Sequence, residues 1–223
     1  LWELGHVGWF QDWWLGRNPE RRRGTAADPD APRRAPRRAD ADAWFDSSRV
    51  AHATRWGLPL PCAAEMRDDL AHGLDDSLAL LRATPSHDDE LYFFRLCLFH
   101  EDMHHEAAVY MAQHLGIALA GWRPRAHART QPIAIDAARH RSGVALGGFM
   151  FDNELGPHDV ALQAYCIDSA PVTWSEFIAF VEAGGYARPE LWSAEGQGWL
   201  QAHGLQHPRY LRRHGSLWQR IEF

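Results

Sequence analysis

The 223-residue sequence predicts two parts of different fold class, an all-α part followed by an α+β part. In the first part, apolar residues recur at three- and four-residue spacing, which is the period of a helix. The second part begins with a proline-rich stretch and continues in short alternating segments, which are typical of strands. We therefore expect two domains, residues 1–125 and residues 126–223.

The first predicted helix is LWELGHVGWFQDWWL, residues 1–15, whose apolar residues form one broad face at helical spacing. This pattern places His6 on or beside the buried face. Residues 17–43 follow with eight arginines mixed with Pro, Ala and Asp and no periodicity, so we expect a long irregular loop there.

Two further helices complete the predicted helical part. The first begins after Pro61 and presents a row of apolar residues opposite acidic ones. Pro85 ends it, and Ser86 with Asp89 has the pattern of a capping box that opens the next helix, which should end at Gly116. With a short helix within residues 44–57, this predicts a helical bundle.

The α+β part begins with the segments PIAI and VALQAYCID, whose alternation predicts strands. Thr173 and Glu176 form a second capping-box pattern, which predicts a helix ended by Gly184 and Gly185.

Composition excludes several classes of function. No apolar run approaches the roughly 18 residues that a membrane helix needs, and the net charge of -6 argues against nucleic acid as the main partner. Three widely spaced cysteines predict no disulfide framework and indicate a reducing cytoplasm. Residue 1 already lies in a helical pattern and the last residues look like a strand, so we expect the domains to be incomplete at both ends.

The stretch FHEDMHHE, residues 99–106, places three histidines inside a strongly apolar helix. His100 and His104 are four residues apart and project from one helix face, which suits two ligands of one metal ion. An isolated pair of this kind is more often an ordinary polar surface. Here the flanks YFFRLCLF and AAVYMA are apolar, and two buried imidazoles without partners would cost a few kcal/mol. A metal would remove that cost.

His6 is the predicted third ligand, because it also lies on an aromatic-lined helix of the same bundle. Three histidines on one side of an ion leave coordination positions open, which indicates a catalytic rather than a structural site. Imidazole suits zinc, nickel, copper and iron(II) alike. We expect Cys97 to be a buried thiol, and Glu101 and Asp102 to be solvated or to orient a histidine ring.

The arginine-rich loop has two interpretations. Such runs usually form a solvated surface. If the loop instead folds over the metal site, its guanidinium groups would hold a substrate carboxylate or phosphate.

These segments resemble the iron-dependent ergothioneine sulfoxide synthase family, and most closely its selenium branch, the selenoneine synthases. LGHVGWF resembles the helix of the family's first histidine, and HEDMHHE fits its second motif. GGFMFDNELGPHDVAL, PVTWSEFIAFVEAGGY and RPELW resemble the start of its second domain. The resemblance implies a DinB-like four-helix bundle followed by a C-type-lectin-like domain of the formylglycine-generating-enzyme type.

By this resemblance, His6, His100 and His104 would hold iron(II), and the substrates would be hercynine, O2 and a selenosugar or thiol. The product would carry a C–Se bond, or alternatively a C–S bond, on the imidazole of hercynine. The selenium branch is favoured by the segment WFDSSRVAHATRWGLPLP and by the loop RRRGTAADP.

The resemblance also implies positions for substrate contacts. Met103 stands where the sulfur enzymes often carry a glutamine that contacts substrate, so a changed contact is expected. Arg21, Arg22 and Arg23 lie where the family binds the carboxylates of its thiol substrate. The family's proton-donating tyrosine would lie beyond Phe223, so we expect residues 1–223 to bind iron but to turn over poorly.

Two other classes of function remain open. A metal-dependent thiol transferase of the DinB-like type would use the same histidines with zinc or nickel and would work without O2. A binding module with structural histidines would lose no function when His104 is replaced by alanine.

Overall fold

The computed structural model describes residues 1–119, 130–145 and 147–220. Two compact units divide the chain: Leu1–Tyr110 with His140–Val160, and Met111–Arg139 with Ala161–Phe223. The predicted domain boundary near residue 125 lies outside the described residues. In the described residues no helix has both the length and the apolar character needed to cross a bilayer.

Residues 1–119 are helical, as predicted. Their α-helices are α1 (Trp2–Gln11), α2 (Ala41–Phe45), α3 (Ala63–Arg82) and α4 (Asp88–Leu115). Short 3-10 helices cover Arg21–Ala26 and His52–Gly57. Since α2 has only five residues, the four-helix bundle of the predicted fold class stays a prediction.

The first helix matches its predicted extent because α1 continues into a π-helical turn, Asp12–Gly16. In that turn the Arg17 N–H donates to the Asp12 carbonyl, five residues earlier, at 2.8 Å. The wider turn rotates the chain before it leaves the helix. His6 is 4 % exposed, so the prediction that it lies on the buried face is confirmed.

The loop predicted over residues 17–43 is less irregular than expected. It contains the 3-10 helix Arg21–Ala26, interrupted at Gly24 with φ +53°, and α2 begins before it ends. The predicted short helix within residues 44–57 is a 3-10 helix from His52 to Gly57.

The two ends of α4 show one correct and one wrong prediction. α4 ends at Leu115, and Gly116 follows in the left-handed region at φ +74°, as its position predicted. Its start differs, because the carbonyl of His87 accepts from the Leu91 N–H and the helix begins at Asp88. Ser86 therefore lies one residue too early to cap the helix.

Two apolar clusters fix α1 in the first unit. One joins α1 to α2 and α3 through Trp2, Trp9, Phe45 and Met66. The other packs Leu15, Tyr92, Phe93 and Cys97 together, with Phe149 against them. Burying a large apolar side chain contributes about 1.5–3 kcal/mol. Phe10 of α1 also packs against the second cluster, so both clusters hold the side chains of the buried face of α1 in place.

The second half is mixed α and β, as predicted. β1 (Pro132–Ile135) pairs antiparallel with β4 (Tyr165–Asp168), and β5 (Leu211–His214) pairs antiparallel with β6 (Leu217–Arg220). β2 (Ala138–Ser142) pairs with β3 (His158–Leu162). The helices are α5 (Trp174–Glu182) and α6 (Ala194–His203), with 3-10 helices at Asp152–Glu154, Gly185–Ala187 and Pro189–Leu191.

The start and end of α5 confirm the second capping-box prediction. The Thr173 hydroxyl accepts from the Glu176 N–H, and the Thr173 N–H donates to the Glu176 carboxylate at 2.8 Å. Gly184 ends the helix at φ +74°, a conformation that favours glycine.

Candidate metal centre

Three histidine rings converge between α1 and α4. The Nε2 atom of His100 lies 3.2 Å from Nε2 of His6 and 3.1 Å from Nε2 of His104. One ring nitrogen from each histidine lies within 4.8 Å of the other two. The structure thus brings together the three side chains that the sequence predicted as ligands, across a separation of 94 residues.

The opposite nitrogens fix the tautomer of two rings. Nδ1 of His6 lies 2.8 Å from the Phe45 carbonyl, and Nδ1 of His104 lies 2.6 Å from a carboxylate oxygen of Glu3. Since a carbonyl or an ionised carboxylate only accepts, each Nδ1 carries the hydrogen and donates it. The Nε2 atoms of His6 and His104 therefore present lone pairs to His100.

The buried Nδ1 of His100 has no hydrogen-bond partner among the described residues. Its Nε2 faces the lone pairs of both His6 and His104, and a neutral ring with its hydrogen on Nε2 can donate to only one of them. Protonation does not solve this, because burial, followed by the neighbouring His104 and His6, lowers the pKa of His100 to about 3. Burial also lowers the pKa of His6.

Aromatic side chains form the walls of the site. The Phe10 ring stacks on His100 with centroids 3.6 Å apart, and Trp2 stacks on His6 at 4.8 Å. The Arg55 guanidinium lies 3.6 Å from the centroid of Trp2 on that ring. These contacts restrict rotation of the two imidazoles and keep bulk water from their faces.

These residues fit a divalent transition metal. A metal–nitrogen bond of about 2.0–2.1 Å with right-angle geometry places neighbouring ligand nitrogens about 3 Å apart, close to the two observed Nε2 separations. Neutral imidazoles are the form that binds metals, and the low pKa of His100 keeps that ring neutral at physiological pH. A cation would also separate the Nε2 atoms of the three rings, which otherwise direct lone pairs at one another. The donor set suits iron, zinc, copper and nickel.

Glu3 is the residue of the site that sequence analysis missed. We expected Glu101 and Asp102 to be solvated or to orient a histidine ring; both are exposed, and Glu101 accepts from the Gln11 side chain at 3.1 Å. A carboxylate one helical turn before His6 was the available signal in the sequence.

The predicted substrate-binding arginines lie near the start of α4. Arg22 pairs with Glu90 at 2.8 Å, and Arg23 pairs with Glu20 at 2.8 Å. Arg21 is half-buried, and its Nε has no hydrogen-bond partner in the described part of the chain. Glu90 precedes His100 by ten residues, or about 15 Å along a helix at 1.5 Å per residue.

Other arginines of the same loop are also held by the first unit. Arg17, 4 % exposed, donates to both carboxylate oxygens of Asp42 at 2.6 and 2.8 Å. Arg33 lies over the rings of Trp13 and Trp14. In the structure these two arginines pack the loop against α1 and the residues after it.

Met103 is 49 % exposed on α4 and does not line the groove beside His104. Consecutive helical residues point about 100° apart, so Met103 and His104 face different directions. The groove, about 390 Å³, lies between α1, α3 and α4 and is lined by Glu3, Glu101 and His104 among others. It therefore opens behind the His104 ring.

Cys97 lies in the apolar cluster with Leu15, Tyr92 and Phe93. Burial raises the pKa of this thiol, so it stays protonated. The interpretation of Cys97 as a packed thiol agrees with this environment.

The three histidines belong to the helical N-terminal part of the chain. The segment that follows this part in the sequence is similar to a known family. Residues 124–219 match the FGE-sulfatase family, described as a sulfatase-modifying factor enzyme 1-like domain. This match covers the α+β part of the chain.

Similarity to individual proteins extends over almost the whole chain. The chain is 28% identical over 228 residues to a hercynine oxygenase of Mycolicibacterium smegmatis, covering 97% of this chain and 50% of the relative. It is 28% identical over 234 residues to a hercynine oxygenase of Mycobacterium tuberculosis, covering 96% and 50%. A hercynine oxygenase of Mycolicibacterium thermoresistibile is 27% identical over 227 residues, covering 97% and 48%. The chain spans about half the length of these relatives.

Proposed function

We propose that the chain is part of a non-haem iron(II) enzyme that uses O2 to form a C–Se bond on the imidazole of hercynine. The observation that carries this proposal is the convergence of His6, His100 and His104 through their Nε2 atoms. Relatives named hercynine oxygenase support hercynine as the substrate.

In this proposal the three histidines hold the iron from one side. When bound there, iron(II) would supply vacant coordination positions and the redox chemistry that O2 needs. The chain itself provides positioning: α1 and α4 hold the rings, and Phe10 and Trp2 limit water on two of them. Holding two reactants side by side converts an encounter in solution into a reaction between neighbours.

We also propose the domain division, with residues 1–125 as a DinB-like metal-binding bundle. Residues 126–223 would be the N-terminal part of a formylglycine-generating-enzyme-type domain, which the family match over residues 124–219 supports. The enzyme would act in the cytoplasm, and the free thiols of all three cysteines are compatible with a reducing compartment.

Substrate contacts by Met103 and by Arg21, Arg22 and Arg23 belong to the same proposal. Methionine offers no hydrogen bond comparable to that of a glutamine amide, so the substrate contact at this position would differ from that of the sulfur enzymes. Arg22 would have to release Glu90 before its guanidinium could hold a substrate carboxylate.

Metal analysis tests the site. We expect the wild-type chain to bind close to one equivalent of iron(II) under anaerobic conditions, and His104→Ala to lose most of it. His105→Ala is the matched control, because His105 is the exposed neighbour on the same helix. Equal metal content in the wild type and His104→Ala would contradict the proposal.

Product analysis tests the reaction. Iron-loaded full-length enzyme, of which this chain is proposed to be part, is incubated in air and under anaerobic conditions with hercynine and either a selenosugar or a cysteine-derived thiol, and the products are identified by mass spectrometry. We expect the selenium product. Exclusive sulfur product would instead support the C–S synthase, and equal turnover without O2 would support the thiol transferase.

A further inference from the structure

The shortest contact around the three histidines is made by a carboxylate. Glu3 Oε2 lies 2.6 Å from Nδ1 of His104, a distance typical of a strong charge-assisted hydrogen bond. The two residues are 101 positions apart in sequence. Glu3 stands on α1 one turn before His6, so a single helix carries one candidate ligand and the partner of another.

We propose that Glu3 is a positioning residue that fixes the tautomer and orientation of His104 for metal binding. This inference rests on the proposed metal site. The Nδ1–H of His104 donates to Glu3, which leaves the Nε2 lone pair directed toward His6 and His100. A carboxylate in this position also makes the imidazole a more basic ligand.

The three rings are held by different contacts, so the effect of removing Glu3 can be assigned to His104. His6 is held by the backbone carbonyl of Phe45, which no substitution removes. His100 Nδ1 has no hydrogen-bond partner in the described residues, and its ring is fixed by stacking on Phe10. His104 is the least buried of the three, with 23% of its side chain exposed, so its orientation depends most on a hydrogen bond.

Glu101 provides a matched control for Glu3. Both carboxylates line the groove behind His104, but Glu101 bonds to Gln11 and not to a histidine. Removing either one changes the charge of the groove by the same amount. A difference between the two variants therefore reports the hydrogen bond to His104.

The first experiment needs no metal. In metal-free wild-type protein at pH 8, the ¹⁵N chemical shifts of His104 should identify the Nδ1–H tautomer. Glu3→Ala should give a mixture of tautomers, because a free ring populates both forms. Glu101→Ala should leave the His104 shifts unchanged, and unchanged shifts in Glu3→Ala would overturn the inference.

The second experiment measures affinity for cobalt(II), used as a spectroscopic probe. We expect Glu3→Ala to bind about 10–100-fold more weakly than the wild type and Glu101→Ala to bind within about twofold of it. Glu3→Gln keeps an acceptor oxygen without the charge, so it should recover part of the loss. Thermal melts of the metal-free variants control for folding.

The outcomes separate this inference from the metal site itself. If the wild type binds no cobalt(II) or iron(II) while the tautomer still depends on Glu3, the proposed function fails and the role of Glu3 in orienting the ring stands. If the wild type binds metal and Glu3→Ala binds as tightly as Glu101→Ala, the positioning role is wrong and the metal site stands.

Discussion

Replacing Gly5 with alanine should weaken the packing that holds α1. A methyl group at Gly5 would overlap the ring of Phe45 and the end of Met66, both nearly fully buried. The Met66 methyl is the end of a flexible side chain and can shift, but Phe45 is a rigid ring that must move as a whole. Overpacking of this kind typically costs about 1–3 kcal/mol. Alanine in place of glycine within a helix returns about 1 kcal/mol.

Gly73 offers a control that isolates the overpacking cost. It also lies within a helix, α3, and a methyl group there would meet nothing within 4 Å. Gly73→Ala should therefore raise the free energy of unfolding by about 1 kcal/mol. Since both variants gain the same helical preference, their difference of about 1–3 kcal/mol measures the overlap at Gly5 alone.

The assay is urea unfolding of the metal-free protein, followed by far-ultraviolet circular dichroism with a chelator present. If Gly5→Ala proves as stable as Gly73→Ala, the close approach of α1 to Phe45 is not as the structure has it. Displacement of Phe45 would also move the carbonyl that accepts from His6. We therefore expect Gly5→Ala to bind metal more weakly, whereas Gly73→Ala should bind it normally.

Three further predictions concern protons and ion pairs. The folded-state pKa of His6 and of His100 lies below that of an unfolded chain, near 6.5, so the unfolded state binds more protons at lower pH. The urea midpoint of the metal-free protein should therefore fall as pH drops from about 6.5 toward 5, and His100→Gln should show a weaker fall. Asp42→Ala should cost about 2–4 kcal/mol in unfolding free energy, because buried Arg17 loses both short bonds to the carboxylate and keeps only Asp12 at 3.9 Å as an acidic partner; a loss below 1 kcal/mol would contradict this. Arg37→Ala removes an exposed ion pair and should change the unfolding free energy by no more than about 1 kcal/mol, measured in the same way.

The features that sequence analysis predicted correctly depend on local periodicity. The buried face of α1, the end of α4 at Gly116 and the cap at Thr173 each follow from residues within a few positions of one another. The meeting of His6 with His100 could also be predicted from the sequence, because buried imidazoles in apolar helices need a shared partner.

Most of the features that it missed depend on contacts between residues far apart in the sequence. The hydrogen bond from His104 to Glu3 joins two helices, and the sequence contains many other carboxylates that could have accepted it. The support of His6 by the Phe45 carbonyl involves the backbone, which is the same at every residue type. The start of α4 at Asp88 differs from the capping-box prediction because the carbonyl of His87 accepts the first helical hydrogen bond, from the Leu91 N–H.

The placement of Glu3 and His6 on one ten-residue helix links two parts of the centre mechanically. Rotating or sliding α1 would displace one ligand and, at the same moment, release the ring of another, so neither can be adjusted alone. An insertion or deletion of a single residue between Trp2 and His6 would disturb both. Conversely, transplanting the centre into another protein would require copying the facing sides of α1 and α4 at a fixed register, together with an acceptor in the place of the Phe45 carbonyl.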